Sequence, residues 1–368
     1  MVDTFIKHKI RKAILLELTQ SITMNTNFNI NNLVRENIKA LKPYSSARDE
    51  FKGTADVFLD ANENPFGDLN RYPDPQQKEI KEKLSTIKKV EKNKIFIGNG
   101  SDEVIDLAFR IFCEPGKDKV LTFSPTYGMY DVSANINNIE VIKQPLINDF
   151  QINLNQLQPY LDFEDLKIIF ICSPNNPTGN SINLEDIEYV LESFNGIVIV
   201  DEAYIDFSSQ ASFIKNIDKY KNLIVCQTFS KAWGLAGVRV GVAYASEDII
   251  KLYNRVKPPY NVSTLNQKAV LNRLDNLDKT FQNIKTIRLE RTKLNQALNA
   301  LSIVKKIYPS DANFMLVEVD DANKVYHYLI EKKVIIRNRN TQVKNCVRIT
   351  VGTKEENKRL IQALQNII

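Results

Sequence analysis

Five short apolar runs recur between residues 94 and 234, each ending in a turn rich in Pro, Gly, Asn or Ser. "KIFIGNG" (94–100) reads as a strand and turn, and "SDEVIDLAFRIF" (101–112) places Val104, Ile105, Leu107, Ala108, Ile111 and Phe112 at helical spacing. "KVLTFSPTYGMY" (119–130), "LKIIFICSPNNPTG" (166–179), "GIVIVDEAYIDF" (196–207) and "NLIVCQTFSKAWG" (222–234) repeat the strand–turn pattern. Strands that alternate with helices pair in parallel and are covered on both faces, which predicts an α/β fold. Ligands of such sheets bind beyond the carboxyl ends of the strands.

The residues just past each run are therefore informative. In order they are Asn99-Gly100-Ser101, Tyr127, Asn175-Asn176, Asp201 with Tyr204, and Ser230-Lys231. Five polar ends in succession imply one site fed by all of them. Lys231 is the most telling, because an ammonium beside an apolar core is costly unless it is neutral or bonded. Alone it reads as a surface lysine whose stem snorkels. The alternative is a lysine that condenses with a carbonyl, which needs a lowered pKa and a carbonyl partner. Pyridoxal phosphate is such a partner, and it asks for an acid at its pyridine nitrogen and donors for its phosphate. Asp201 ends a strand, Ser101 opens a helix whose free N–H groups suit a phosphate, and Thr228, Ser230 and Arg239 flank the lysine. "GNGSDE" is a poor dinucleotide fingerprint, since the third glycine is missing.

Composition removes other chemistries. The chain holds two histidines, His8 and His327, neither placed for a Ser-His-Asp triad, a Cys-His pair or a typical zinc site, so no metal is expected. Cys113, Cys172, Cys226 and Cys346 are widely spaced without a CxxC pair, as expected of reduced core thiols in a cytoplasmic protein. The 49 Lys and Arg against 44 Asp and Glu leave a formal charge of +5, spread along the chain, which argues against nucleic acid as a partner. No apolar run approaches the roughly 18 residues of a membrane span, and the basic start lacks the apolar length of a signal peptide.

After about residue 265 the pattern changes to a long helix, "TFQNIKTIRLERTKLNQALNAL", then the strands "FMLVEV", "VIIRNR" and "CVRITVG" with helices between and after them, an α+β unit of its own. The length suits two domains. The expected division is a tail over 1–23, a segment 24–60 returning to the smaller unit, a large domain over 61–265 and a small one over 266–368.

"SPNNPTG", "DEAY", "TFSKAWGLAGVRVG" and "RITVG" resemble, in order and spacing, the motifs of the fold-type I, class I/II pyridoxal-phosphate aminotransferases. "LDANENP", "NRYPDP", "SPTYGMY" and "FCEPGKD" are similar to those of the histidinol-phosphate aminotransferases within that group. The resemblance runs from about residue 28 to 365 and leaves the tail outside, so the tail is expected to be dispensable. It implies that Lys231 attaches the cofactor and moves the substrate proton, that Asp201 holds the pyridine nitrogen protonated, and that Asn176 and Tyr204 bond the ring's phenolic oxygen. It further implies that Tyr127 stacks on the ring and that the N–H groups of Ser101 and Asp102, with Thr228, Ser230 and Arg239, hold its phosphate. Arg348 and Arg337 would take substrate anions with Tyr44 near them, and Tyr72 would reach the cofactor of a second copy in a homodimer. The implied reaction exchanges an amino group between L-histidinol phosphate and 2-oxoglutarate, giving imidazole-acetol phosphate and glutamate, in histidine biosynthesis. An aromatic amino acid aminotransferase or a threonine-phosphate decarboxylase of the same fold shares every cofactor motif.

Overall fold

The computed structural model describes residues 28–43, 53, 56–147 and 149–367. Seven strands form the large sheet: β1 (Ile95–Gly98), β2 (Lys119–Ser124), β3 (Glu140–Pro145), β4 (Leu166–Cys172), β5 (Ile197–Asp201), β6 (Leu223–Thr228) and β7 (Gly241–Ala245). Their spatial order is β1-β7-β6-β5-β4-β2-β3. The pairs from β3 through β6 are parallel, while β7 runs antiparallel to both β6 and β1. Six strands thus point one way and β7 the other.

The sheet is mainly parallel, as expected, and β7 is its exception. β7 carries the "GVAYA" run soon after the lysine segment, with only a three-residue 3-10 turn (Ala236–Val238) between and no α-helix to carry a crossover, so the chain returns antiparallel. β3 is half-exposed, so its "EVIKQP" lacks the apolar run of the central strands. β4, β5 and β6 are buried nearly throughout, as strands covered on both faces must be. One apolar cluster lies on each face of the sheet.

The second sheet has the order β10-β11-β9-β8 and is antiparallel throughout, with β8 (Val304–Ile307), β9 (Phe314–Val319), β10 (Arg337–Asn338) and β11 (Cys346–Thr350). The "VIIRNR" run shortens to two ladder residues. Val347, Ile349, Met315 and Val317 face the helices Ala322–Glu331 and Lys354–Gln365, so the alternate residues Arg348, Phe314 and Leu316 face the large sheet.

The helix Leu277–Asn299 connects the two cores. Ile284 joins the large cluster, as do Val270 and Leu274 of the preceding helix, whereas Leu294 and Leu298 join the small one. The segment expected to return to the small unit does otherwise where it is described. Val34 and Ile38, four residues apart, pack into the cluster on the other face of the large sheet, Arg35 N–H donates to Ile111 O, and Arg255 bonds Ile38 O. The apolar faces of the helices Ser101–Phe112 and Glu247–Val256 are nearer partners for them. The tail 1–23 and Tyr44 lie outside the described residues.

Candidate active site

The carboxyl ends of β1, β4, β5 and β6 and the amino end of β7 meet at one edge of the large sheet. A cleft there encloses about 550 Å³, part of it continuous with solvent. Ser101, Asp102, Tyr127, Asn176, Asp201, Tyr204, Thr228, Ser230, Lys231 and Arg239 line it, together with Cys172, Ala203 and Ala236. Of the residues expected in the site, Arg337, Arg348 and Tyr72 are outside this lining and Tyr44 is not described.

At one end the helix Ser101–Phe112 presents its first N–H groups. Gly100 precedes it at φ +83°, and a Cβ there would stand 2.8 Å from Arg239 Nη2. Gly241 pairs with Gly98, and a Cβ on Gly241 would lie 2.3 Å from Ser101 N. The two glycines let β7 and the helix turn touch, which brings Arg239 beside the helix N-terminus. Arg239 Nη2 donates to Asp102 Oδ2 at 3.1 Å, and Tyr127 Oη donates to Asp102 Oδ1 at 3.2 Å. Thr228 Oγ1 accepts from Ser230 N–H at 3.1 Å and so shapes the turn into Lys231.

At the other end Asp201 is buried. Tyr130 Oη donates to its Oδ2 at 2.7 Å and Ala203 N–H to its Oδ1 at 3.1 Å. Burial pushes this carboxyl up, against those two bonds, which hold it down. Between the two ends stands Lys231, exposed in the open cleft, with Nζ 5.8 Å from the Tyr204 ring centre. The walls still take hydration from its amine, and this desolvation, then the Arg348 charge, lowers its pKa. Asp201 and Asp102 oppose that shift.

Arg348 reaches the cleft from the second sheet. Its Nη1 donates to Asn176 Oδ1 at 2.5 Å, which turns the Asn176 amide nitrogen away from the arginine, and its guanidinium lies 5.2 Å from the Phe314 ring. Arg337 is its ladder partner on β10, and Arg339, whose N–H continues the ladder to Cys346 O, comes next on the same face. None of the three guanidiniums makes an ion pair among the described residues, and the buried Nε atoms of Arg339 and Arg348 have no partner. Burial, then Arg348 and Arg337, lowers Arg339 to about 10. Tyr72 lies apart, half-exposed, with its ring stacked on Tyr260 at 4.3 Å.

Two residues of this arrangement escaped sequence reasoning. Tyr130 looks like a core aromatic; its signal was a polar-tipped ring three residues after Tyr127, at the start of the helix Met129–Ile136. Arg339 reads as a solvated charge until the ladder sets it beside Arg348.

The donor set suits a phosphate-bearing pyridine aldehyde. A helix N-terminus with an adjacent guanidinium and two hydroxyls fits a dianion. A buried carboxylate fits a protonated ring nitrogen, and an amine with a lowered pKa fits a carbonyl.

The fold and site define a cofactor-dependent group transferase, and the family model "Aminotransferase class I and II" matches residues 26–364. The chain belongs to that family. It is 57% identical over 345 residues to a histidinol-phosphate aminotransferase of Christiangramia forsetii, covering 92% of this chain and 98% of that one. It is 53% identical over 344 residues to the one of Flavobacterium psychrophilum, covering 92% and 99%. A crystal structure of histidinol-phosphate aminotransferase from Sinorhizobium meliloti in complex with pyridoxal-5'-phosphate shares the fold, with a TM-score of 0.75, 21% identity, and coverage of 83% of this chain and 89% of that one.

Proposed function

We propose that this chain uses pyridoxal phosphate to exchange the amino group between L-histidinol phosphate and 2-oxoglutarate, giving imidazole-acetol phosphate and L-glutamate, a step of histidine biosynthesis. The observation that carries the substrate reading is the unneutralised group of Arg337, Arg339 and Arg348 on the second sheet, of which Arg348 reaches the cleft through Asn176. The enzyme must take glutamate, with two carboxylates, and a substrate with a phosphate and no α-carboxylate. A guanidinium fork matches both anions. Identity above 50% to histidinol-phosphate aminotransferases over nine-tenths of the chain supports the same substrate.

The cofactor supplies an electron sink for the bond electrons released at the substrate carbon. The residues do the rest. Lys231 Nζ would attach the cofactor's carbonyl carbon and would carry the substrate proton, two tasks that its lowered pKa favours. Asp201 would keep a proton on the ring nitrogen. Asn176 and Tyr204 would bond the phenolic oxygen, and Tyr127 would cover the ring. The N–H groups of Ser101 and Asp102, with Thr228, Ser230 and Arg239, anchor the phosphate. Arg348, braced by Asn176, orients the substrate anion.

The same reading makes the protein a cytoplasmic homodimer, in which Tyr72 completes the neighbouring copy's phosphate site. In support, Leu69 and Leu265 border Tyr72 and are 61% and 57% exposed, an apolar area that a second copy would cover. Among the described residues no helix is long and apolar enough to cross a membrane. The large and small domains divide near residue 265 in this reading.

The test offers the protein, with pyridoxal phosphate and 2-oxoglutarate, one donor at a time: L-histidinol phosphate, phenylalanine or threonine phosphate. Glutamate should form fastest with histidinol phosphate. Faster turnover of phenylalanine, or release of carbon dioxide from threonine phosphate without glutamate, would overturn the reading.

A further inference from the structure

Asp201 sits at the end of β5, in register with Cys172 of β4 on one side and Cys226 of β6 on the other. Both thiols are buried, and burial pushes both above their usual range, so neither carries charge. A thiol is also a weak donor. The carboxylate therefore has poor lateral neighbours. The hydrogen bonds it accepts come from Ala203 N–H and Tyr130 Oη. Of the charged groups that face it, Lys231 favours its anionic form and Asp102 opposes it.

Tyr130 is held rigidly. It is fully buried, its ring stacks on Phe170 at 4.7 Å and 18°, and it meets the Tyr127 ring edge-on at 5.6 Å and 87°. Its hydroxyl stands 2.7 Å from Asp201 Oδ2. A donor fixed on one oxygen stabilises the carboxylate over the carboxylic acid, and the low dielectric of a buried site strengthens the effect.

We infer that Tyr130 is a positioning residue that decides where a shared proton sits: its hydroxyl keeps Asp201 a carboxylate, so that the proton between Asp201 and a heteroaromatic nitrogen bound opposite it resides on the nitrogen. The resting place of that proton is set by the difference in proton affinity between nitrogen and oxygen. Burial between two thiols makes the oxygen more basic, and the Tyr130 hydroxyl, 2.7 Å from Asp201 Oδ2, opposes that bias. Without its hydroxyl the proton moves toward Asp201 and the ring becomes a neutral pyridine. This inference rests on the reading that the cleft binds pyridoxal phosphate.

The experiment uses the full chain loaded with pyridoxal phosphate labelled with 15N in the ring, and reads the nitrogen chemical shift without added substrate. Wild type should show the shift of a protonated pyridine. In Tyr130→Phe it should move toward the neutral value, and the cofactor should dissociate about ten times more readily, the scale of one lost charge-assisted hydrogen bond. Replacing Tyr130 by p-aminophenylalanine, which keeps the ring and a donor at the same place, should restore a shift close to wild type. An unchanged shift in Tyr130→Phe overturns the inference while leaving the cofactor reading intact. A wild-type protein that takes up no labelled cofactor overturns the cofactor reading itself. If Tyr130→Phe does not fold, the p-aminophenylalanine protein decides: a neutral-pyridine shift there also overturns the inference.

Discussion

Lys231 and Arg337 carry the residue-scale expectations. Lys231 is the cationic amine lining the cleft on the lysine turn, with Tyr204 beneath it and Asp201 on the far wall. Borohydride reduction of the loaded protein should fix the cofactor to Lys231, and Lys231→Ala should abolish the label; peptide mapping that finds the label on another lysine overturns the assignment. Arg337 faces solvent on β10, in register with Arg348. Its guanidinium suits a dianion that extends beyond the reach of Arg348. Arg337→Ala should lower kcat/KM for histidinol phosphate about ten- to a hundredfold, the range for a lost charge-assisted bond of about 1.5–3 kcal/mol. A non-phosphorylated analogue should be affected far less. Equal losses for the two substrates would make Arg337 structural.

Two elements decide how the site is held. The turn before the helix Ser101–Phe112 lies against the first residue of β7, where an added Cβ on Gly241 would stand 2.3 Å from Ser101 N and 2.4 Å from Gly100 C. These are backbone atoms, so the turn itself must move. Gly241→Ala should cost on the order of 1–3 kcal/mol in denaturant unfolding and weaken cofactor binding with it, since the displaced N–H groups are those expected to hold the phosphate. Unchanged affinity would separate that turn from the site. The helix Lys78–Lys88 contains a buried cation, Lys81, which burial, then Lys257, lowers to about 8 from 10.5, against a smaller opposing pull from Asp74. The folded state releases this proton before the unfolded state does, so stability rises with pH between about 8 and 10.5 and the cost is full below that window. Lys81→Met should therefore be more stable than wild type at pH 7, by up to about 3 kcal/mol. The advantage should shrink as pH climbs through the window. An advantage independent of pH would mean that Lys81 keeps its water in the fold.

At the scale of the whole molecule, the cleft is built from two sheets and, in the proposed dimer, from two chains. Tyr72 stacks on Tyr260, away from its own cleft. If it serves the neighbouring site, a Lys231→Ala chain mixed with a Tyr72→Phe chain forms heterodimers with one intact site, because the intact lysine and the intact tyrosine then meet across the interface. Activity should rise above that of either variant alone. No recovery, or a monomer by sedimentation, would count against a shared site. The helix Leu277–Asn299 ties the two sheets together, with Ile284 in one core and Leu298 in the other, so substrate anions held by Arg348 stay referenced to the cofactor edge of the large sheet.

Sequence alone determined the α/β architecture, the strand ends that feed the site and most of the cleft lining, because these come from local rules. An apolar run with turn residues at its end makes a buried strand, and in a mainly parallel sheet every such end lies on one edge. The same rules could not supply long-range pairing. That β7 turns back antiparallel, that Val34 and Ile38 join the large core, and that Arg339 falls beside Arg348 all depend on which surfaces meet. Tyr130 is the clearest case. It is fully buried, and only the tertiary structure sets its hydroxyl 2.7 Å from Asp201. A buried hydroxyl must find a partner, and the identity of that partner is written in the packing of β2, β5 and the helix between, not in the order of the residues.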